Sequence, residues 1–256
     1  MTATRVIDLN ADLGEGVGDD EALLAIVTSA NVACGAHAGD EDTMRRTCEL
    51  AAAHGVVVGA HPGYDDPEHF GRRALDVPLP ELAESLAAQL AALRAIAAEA
   101  GSPVQYVKAH GALYHRAAVD TDVAEAVYRE GVACDPSLRF LVPPGSLMLR
   151  FAARADHGVR GIVEGFADRA YATGPGGHPT LVDRAEPGAI LDHDAALAQA
   201  VSLATTGTAQ AVDGTTVHVR PRSLCVHGDT PGAVDLARDI RRALESAGVA
   251  IRSFAR

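Results

Sequence analysis

Short apolar runs rich in Val and Ile recur along the chain, and each gives way to a turn and then to a helical repeat. Runs of this length, bounded by turn residues, fit buried strands. They lie at Val6 to Asn10, Ala30 to Ala33, Val56 to Ala60, Tyr106 to Ala109, Phe140 to Val142, Gly161 to Phe166 and Leu224 to Val226. Between them, Glu41 to His54 is closed by Gly55, and Pro80 to Ala100 is closed by Gly101; glycine is the usual residue just past a helix end. In the second of these, Leu82, Leu86, Leu90 and Leu93 recur at intervals of three and four, one face of a helix. Asp122 to Ala133, Ser146 to Asp156, Asp192 to Thr206 and Thr230 to Ala247 complete the helical set, with Asp20, Asp40, Asp120 and Thr230 as N-cap or first-turn residues. Asp213-Gly214, inside Ala211 to Val219, signals a hairpin.

Strands alternating with helices imply parallel pairing through right-handed crossovers. Seven such units with no break in composition predict one α/β domain over residues 1–256, a closed or nearly closed seven-stranded parallel β/α barrel. An open doubly wound sheet is the competing architecture. Tyr171 to Pro187, with its Gly174-Pro175-Gly176-Gly177-His178-Pro179 core, reads as a long loop or lid.

In parallel folds the ligand lies at the carboxyl ends of the strands, where loops and helix N-termini converge. The polar residues collect there. Asn10, Asp12 and Glu15 follow the first strand; Asn31 and His37 go with the second; His61 ends the third; Lys108 and His110 end the fourth; Glu164, Asp168 and Arg169 mark the sixth; His227 and Asp229 mark the seventh. His54 is explained by the dipole of the helix it ends, and His69, His157, His193 and His218 read as surface residues.

Composition narrows the chemistry. Lys108 is the one lysine among 22 basic residues, and it sits at a strand tip, where a compact ammonium with an adjustable pKa serves a site better than a guanidinium. The 34 acidic residues give a net charge of −12, which argues against a nucleic-acid partner. No apolar run approaches the roughly 18–20 residues that span a bilayer. Met1 to Asp8 lacks a secretory apolar core, which predicts a cytoplasmic chain. Cys34, Cys48, Cys134 and Cys225 form no C-x-x-C pair, which argues against a structural zinc or a disulfide framework. Neither a G-x-S-x-G elbow nor a Gly-Lys phosphate loop occurs. Carboxylates, histidines and one lysine suit proton transfer or oxyanion stabilisation. Asp12, His37 and His61 could instead hold a divalent metal that activates water. Spacing does not choose between them.

Six ordered segments carry a resemblance: Asp8-Leu9-Asn10-Ala11-Asp12-Leu13-Gly14-Glu15-Gly16; Asn31-Val32-Ala33-Cys34-Gly35-Ala36-His37-Ala38-Gly39-Asp40; Gly59-Ala60-His61-Pro62-Gly63-Tyr64 with Phe70-Gly71-Arg72-Arg73; Lys108-Ala109-His110-Gly111-Ala112-Leu113-Tyr114; Glu164-Gly165-Phe166-Ala167-Asp168-Arg169-Ala170-Tyr171; and Cys225-Val226-His227-Gly228-Asp229. Together they resemble the LamB/YcsF family over essentially the whole chain. Ala109 stands where that family usually has Pro, His115 where it often has Asn, and the Gly174 to Pro179 loop is longer and richer in Gly. The resemblance implies a seven-stranded barrel similar in shape to polysaccharide deacetylases. It implies opening of the lactam of 5-oxo-L-proline to L-glutamate, coupled to hydrolysis of ATP as co-substrate, with Mg and no tightly bound cofactor. It also implies two further 5-oxoprolinase subunits of B and C type, similar to allophanate hydrolase or biotin-dependent carboxylase components. A homodimer is compatible with it.

In that reading Lys108 and Arg72 or Arg73 neutralise phosphate or carboxylate charge, and Asp12 or Glu164 acts as base on water. His61, His110 or His227 donates to the ring nitrogen or the oxyanion. Asn10, Glu15, Asn31, His37, Asp168, Arg169, Tyr171 and Asp229 are expected to bind substrate or ATP. Two rivals stand beside it. One is a metal-dependent, deacetylase-like amide or carbohydrate hydrolase with Asp12, His37 and His61 as ligands and Asp229 or Glu15 as base. The other is a non-catalytic lactam-binding component.

Overall fold

Along β1 (Arg5–Leu13) the polar residues Asp8, Asn10 and Asp12 alternate with Ile7, Leu9, Ala11 and Leu13. Side chains on a strand point to opposite faces in turn, so one face of β1 is polar and the other apolar. Except for the half-buried Asp12, both are buried, which requires cover on each side. A barrel wrapped in helices provides it. The apolar set belongs to the large core that includes the helix residues Leu82, Leu86, Leu90, Leu93 and Ile240. The polar set faces the barrel axis.

The computed structural model describes residues 5–154, 161–229 and 232–255. After β1 come α1 (Asp20–Leu24), β2 (Ser29–Ala33), α2 (Glu41–His54), β3 (Val57–His61), α3 (Leu79–Glu99), β4 (Val104–Val107), α4 (Gly111–Val119), α5 (Thr121–Cys134), β5 (Arg139–Val142), α6 (Leu147–Arg154) and β6 (Gly161–Phe166). A small antiparallel ladder, β7 (Tyr171–Thr173) with β8 (Pro179–Leu181), precedes α7 (His193–Thr205). The hairpin of β9 (Thr208–Gln210) and β10 (Thr216–His218) leads to β11 (Ser223–Val226), α8 (Ala233–Ser246) and β12 (Val249–Ile251). β1 to β6 pair in sequence order and in parallel; β11 pairs with both β6 and β1 and closes seven strands into a barrel. β12 adds to β1 below the ring, at Arg5 to Ile7. A second apolar cluster joins Val57, Tyr106, Leu141 and Ile162 to Phe254.

The predicted strands, the two Gly-closed helices and the Asp213-Gly214 hairpin are all present. Asp20 lies in a first helical turn as expected and accepts from the Gly14 amide at 2.8 Å, while Asp19 is the cap of α1. Asp40 and Asp120 cap α2 and α5 as expected; Thr230 and His157 lie outside the described residues. Residues 171–187 hold the β7–β8 ladder instead of an open loop, because Tyr171 to Thr173 pair back on Pro179 to Leu181. α4 and β12 lie outside the predicted elements. Among the described residues no helix is long and apolar enough to cross a membrane.

Candidate active site

Five strands of the barrel deliver polar side chains to one end. Asp12 comes near the end of β1, His61 is the last residue of β3, Lys108 and His110 follow β4, Glu164 sits in β6 with Asp168 just beyond it, and His227 follows β11. A cavity of about 600 Å³ opens over them, lined in part by Asp12, His61, Lys108, His110, Arg169 and His227.

Lys108 forms the floor. Its Nζ lies 2.9 Å from Asp12 Oδ1, 3.0 Å from Glu164 Oε1 and 3.3 Å from Cys225 Sγ, and the residue is 3 % exposed. Burial works against the ammonium, but the facing carboxylates of Asp12 and Glu164 outweigh it and hold Lys108 well above the usual lysine range. Burial likewise opposes the Asp12 carboxylate, and His61 and Lys108 reverse the balance, holding it well below the usual carboxylate range. Tyr114, in the second turn of α4, donates to Glu164 Oε2 at 2.9 Å.

Asp12 is positioned from beneath. Asn31 Nδ2 donates to Asp12 Oδ1 and to Asn10 Oδ1, both at 2.7 Å, and Tyr106 donates its hydroxyl to Asn31 Oδ1 at 2.6 Å. Asn10 donates to Ser223, and Ser223 donates to Asp8. Asn10 and Asn31 therefore support the site instead of reaching the cavity.

His227 stands on one wall. Its Nδ1 is 3.0 Å from both oxygens of Asp168, and its backbone amide donates to Asp168 Oδ2. A carboxylate accepts, so Nδ1 carries the proton and the neutral ring leaves Nε2 as a free base. Burial opposes the Asp168 carboxylate, but the His227 ring and amide pull it below its ordinary range. Phe166 stacks on the His227 ring and fixes its plane.

The opposite wall is a histidine cluster. His61 Nδ1 donates to the Lys108 carbonyl and His110 Nε2 to the Phe70 carbonyl, each at 2.8 Å. The remaining nitrogens, His61 Nε2 and His110 Nδ1, face each other at 3.0 Å. His37 stacks on His110 and reaches Glu15 Oε1 through Nε2 at 3.2 Å. Burial, with the neighbouring histidines adding to it, holds His110 well below the usual range and lowers His37. Glycine is required here: a Cβ on Gly63 or Gly71 would stand 2.9 or 2.8 Å from the His37 ring or its Cβ.

Cations ring the mouth. Asp229 pairs with Arg72 at 2.6 Å and Arg184 at 2.9 Å, tying the loop after β3 to the loop after β8. Arg169 donates to the carbonyls of Ala189 and Val182, and burial, then Arg184, lowers its pKa. Arg73 does not line the cavity; it turns away to Asp66 at 3.2 Å. Tyr171 is buried, with its hydroxyl accepting from the Phe166 amide, and lines a neighbouring cavity of about 400 Å³. Of the three residues expected to hold any metal, His37 and His61 join Glu15 and His110 in one cluster, while Asp12 lies beside His61, 3.5 Å from Nε2. Arg184, Cys225 and the role of Tyr114 were missed. Tyr114 was within reach of sequence reasoning, since it lies in the Lys108 segment; Arg184 sits in an irregular loop with no local signal.

This architecture defines a class: a closed parallel β/α barrel whose strand ends gather carboxylates, histidines and one lysine around a cavity. Within that class, the chain belongs to the LamB/YcsF family, which it matches over residues 7–256. It is 53 % identical to the A-type subunit of 5-oxoprolinase from Streptomyces coelicolor, over 98 % of this chain and all of that one. It is similar to the crystal structure of a lactam utilization protein from Thermus thermophilus, with a TM-score of 0.88 and 40 % identity over 97 % of this chain and 99 % of that one. A peptidoglycan N-acetylglucosamine deacetylase shares the fold alone, with a TM-score of 0.51 and 12 % identity over 99 % of this chain and 87 % of that one.

Proposed function

We propose that this chain is the A-type subunit of a 5-oxoprolinase and that its cavity binds 5-oxo-L-proline for ring opening to L-glutamate, coupled to ATP hydrolysis. The observation that carries the reading is the buried Lys108, held between Asp12 and Glu164 at the floor of a cavity whose opposite walls bear His227 and the His61–His110 pair.

The chemistry follows from the substrate. A five-membered lactam is a stable amide, and its ring recloses readily. Transfer of the ATP γ-phosphoryl group to the lactam oxygen makes that oxygen a leaving group. Water then adds to the same carbon, the carbon–nitrogen bond breaks, and the nitrogen takes a proton. A second water releases phosphate, so one ATP, one 5-oxoproline and two waters give ADP, phosphate and glutamate. In this reading His227, whose Nδ1 proton is held toward Asp168, takes a proton from water through Nε2. Lys108 offsets negative charge on the oxygen as it develops in this reading. Arg169, Arg72 and Arg184 supply cationic groups for the substrate carboxylate and the phosphates. Magnesium would accompany the ATP. Two further subunits, of B and C type, complete the enzyme in this reading.

The test is ATP-dependent glutamate release from 5-oxoproline by this chain with its partner subunits. Lys108→Ala is expected to lower turnover by about 10²- to 10³-fold, as loss of a buried group that stabilises transition-state charge does. Unaltered turnover in a folded Lys108→Ala enzyme would overturn the role given to that residue, and absence of glutamate release by the wild-type assembly would overturn the reading itself.

A further inference from the structure

We propose that Glu15, His61 and His110, with Asp12 at their edge, form a binding site for a divalent transition cation of the zinc class. The argument starts from protons. His61 Nδ1 and His110 Nε2 each meet a backbone carbonyl at 2.8 Å, and a carbonyl only accepts, so both nitrogens carry hydrogen. In the neutral rings that leaves His61 Nε2 and His110 Nδ1 as lone pairs, and they face each other at 3.0 Å in a pocket where neither residue is more than 3 % exposed. Glu15 Oε1 lies 3.4 Å from His110 Nδ1, and Asp12 Oδ2 lies 3.5 Å from His61 Nε2. Three acceptor atoms, from Glu15, His61 and His110, thus converge within 4.8 Å of one another with no hydrogen to share among them, and Asp12 stands beside His61 at their edge.

The spacings fit a cation better than a proton. With metal bonds of about 2.0–2.1 Å, neighbouring ligands of a tetrahedral zinc-class ion stand about 3.3 Å apart. The three contacts run from 3.0 to 3.5 Å. One shared proton would explain the 3.0 Å contact and leave the two carboxylate contacts longer than ionic hydrogen bonds normally are. The surroundings also match: a ligating histidine usually donates its second N–H to a carbonyl or carboxylate, as both rings do here, and a ligating carboxylate is itself hydrogen-bonded. His37 fills that last role, meeting Glu15 Oε1 at 3.2 Å. It is not a ligand beside His110, because the two rings stack at 3.7 Å with planes 2° apart, and one ion cannot lie in both planes. His61 and His110 line the cavity, so a bound ion has a face open to a small molecule.

This inference does not depend on the lactam reading, because cation uptake is measured on the full chain without substrate. Chelator-stripped protein is titrated with Co²⁺, followed by its visible absorption, and then with competing Zn²⁺. One ion per chain is expected, with an absorption of tetrahedral or five-coordinate intensity. Glu15→Gln and His110→Ala should each weaken Co²⁺ binding at least about a hundredfold, and His37→Ala should weaken it about 10- to 100-fold while keeping the spectrum. Circular dichroism of each variant guards against misfolding, and Glu15→Gln, nearly isosteric, serves if His110→Ala does not fold. Wild-type protein that takes up no more Co²⁺ than Glu15→Gln, or a ¹⁵N spectrum of metal-exposed protein showing one proton shared between His61 and His110, overturns the site.

Discussion

At the scale of single residues, the decisive feature is which hydrogen each group holds. Asp168 accepts from both the ring and the backbone of His227, so it fixes the ring's tautomer and its rotation together. Asp168→Asn keeps the shape but offers an amide N–H where the ring needs an acceptor. The ring can then flip its proton to Nε2 and lose its basic nitrogen. Turnover is expected to fall by about 10²- to 10⁴-fold, the range general base catalysis supplies, with KM changed less than kcat. A fall of less than threefold would remove Asp168 as a positioning residue. Composition made Lys108 legible, because one lysine among 21 arginines is informative. It gave no hint of Asp168's partner, because a hydrogen bond between residues 59 apart in sequence exists only in the closed barrel.

At the scale of elements, the strand periodicity of β1 sorts Asp8, Asn10 and Asp12 from their apolar neighbours, and β2 to β4 complete the layer above. Gly59 of β3 sits opposite Asn31 and Tyr106 in register. A Cβ at Gly59 would stand 2.2 Å from the Tyr106 ring, a contact no real atoms make. Tyr106 is fully buried and holds Asn31, which in turn holds Asp12. Gly59→Ala is therefore expected to destabilise the fold by about 1–3 kcal/mol through overpacking and to lower activity beyond the loss of folded protein. Urea unfolding and turnover per folded molecule separate the two effects, and unchanged stability would contradict the packing described. A strand glycine advertises close approach in a sequence, but not what approaches. The start of α4 was illegible for a related reason. Gly111, at φ +52°, begins the helix one residue after the predicted strand Tyr106 to Ala109, and His110 between them is committed to the site and gives no side-chain cap.

At the scale of the whole molecule, the barrel axis is a continuous polar column from Asp8, through Ser223, Asn10 and Asn31, to Asp12 and Lys108. Its upper end meets the cavity, but Asp8 at its base is fully buried and feels the interior. Burial pushes the Asp8 carboxyl up from 3.8 to about 6, against the hydroxyls of Ser223, Ser29 and Thr28, which pull it down. The sign follows from proton counts. Between pH 3.8 and about 6 the folded chain holds more protons at Asp8 than the unfolded chain does, so this group's contribution to stability falls as pH rises through that window. Above it the loss levels off at about 3 kcal/mol. Asp8→Asn has no such titration. The stability of wild type relative to Asp8→Asn should therefore worsen by about 1–1.5 kcal/mol between about pH 5 and about pH 7.5, read by urea unfolding at both values. Groups common to both proteins cancel in that comparison, which isolates Asp8 from the acidic surface. A gap that is the same at both pH values would mean that the base of the column is reached by water, and that the barrel is less closed around its polar axis than its strand pairing requires.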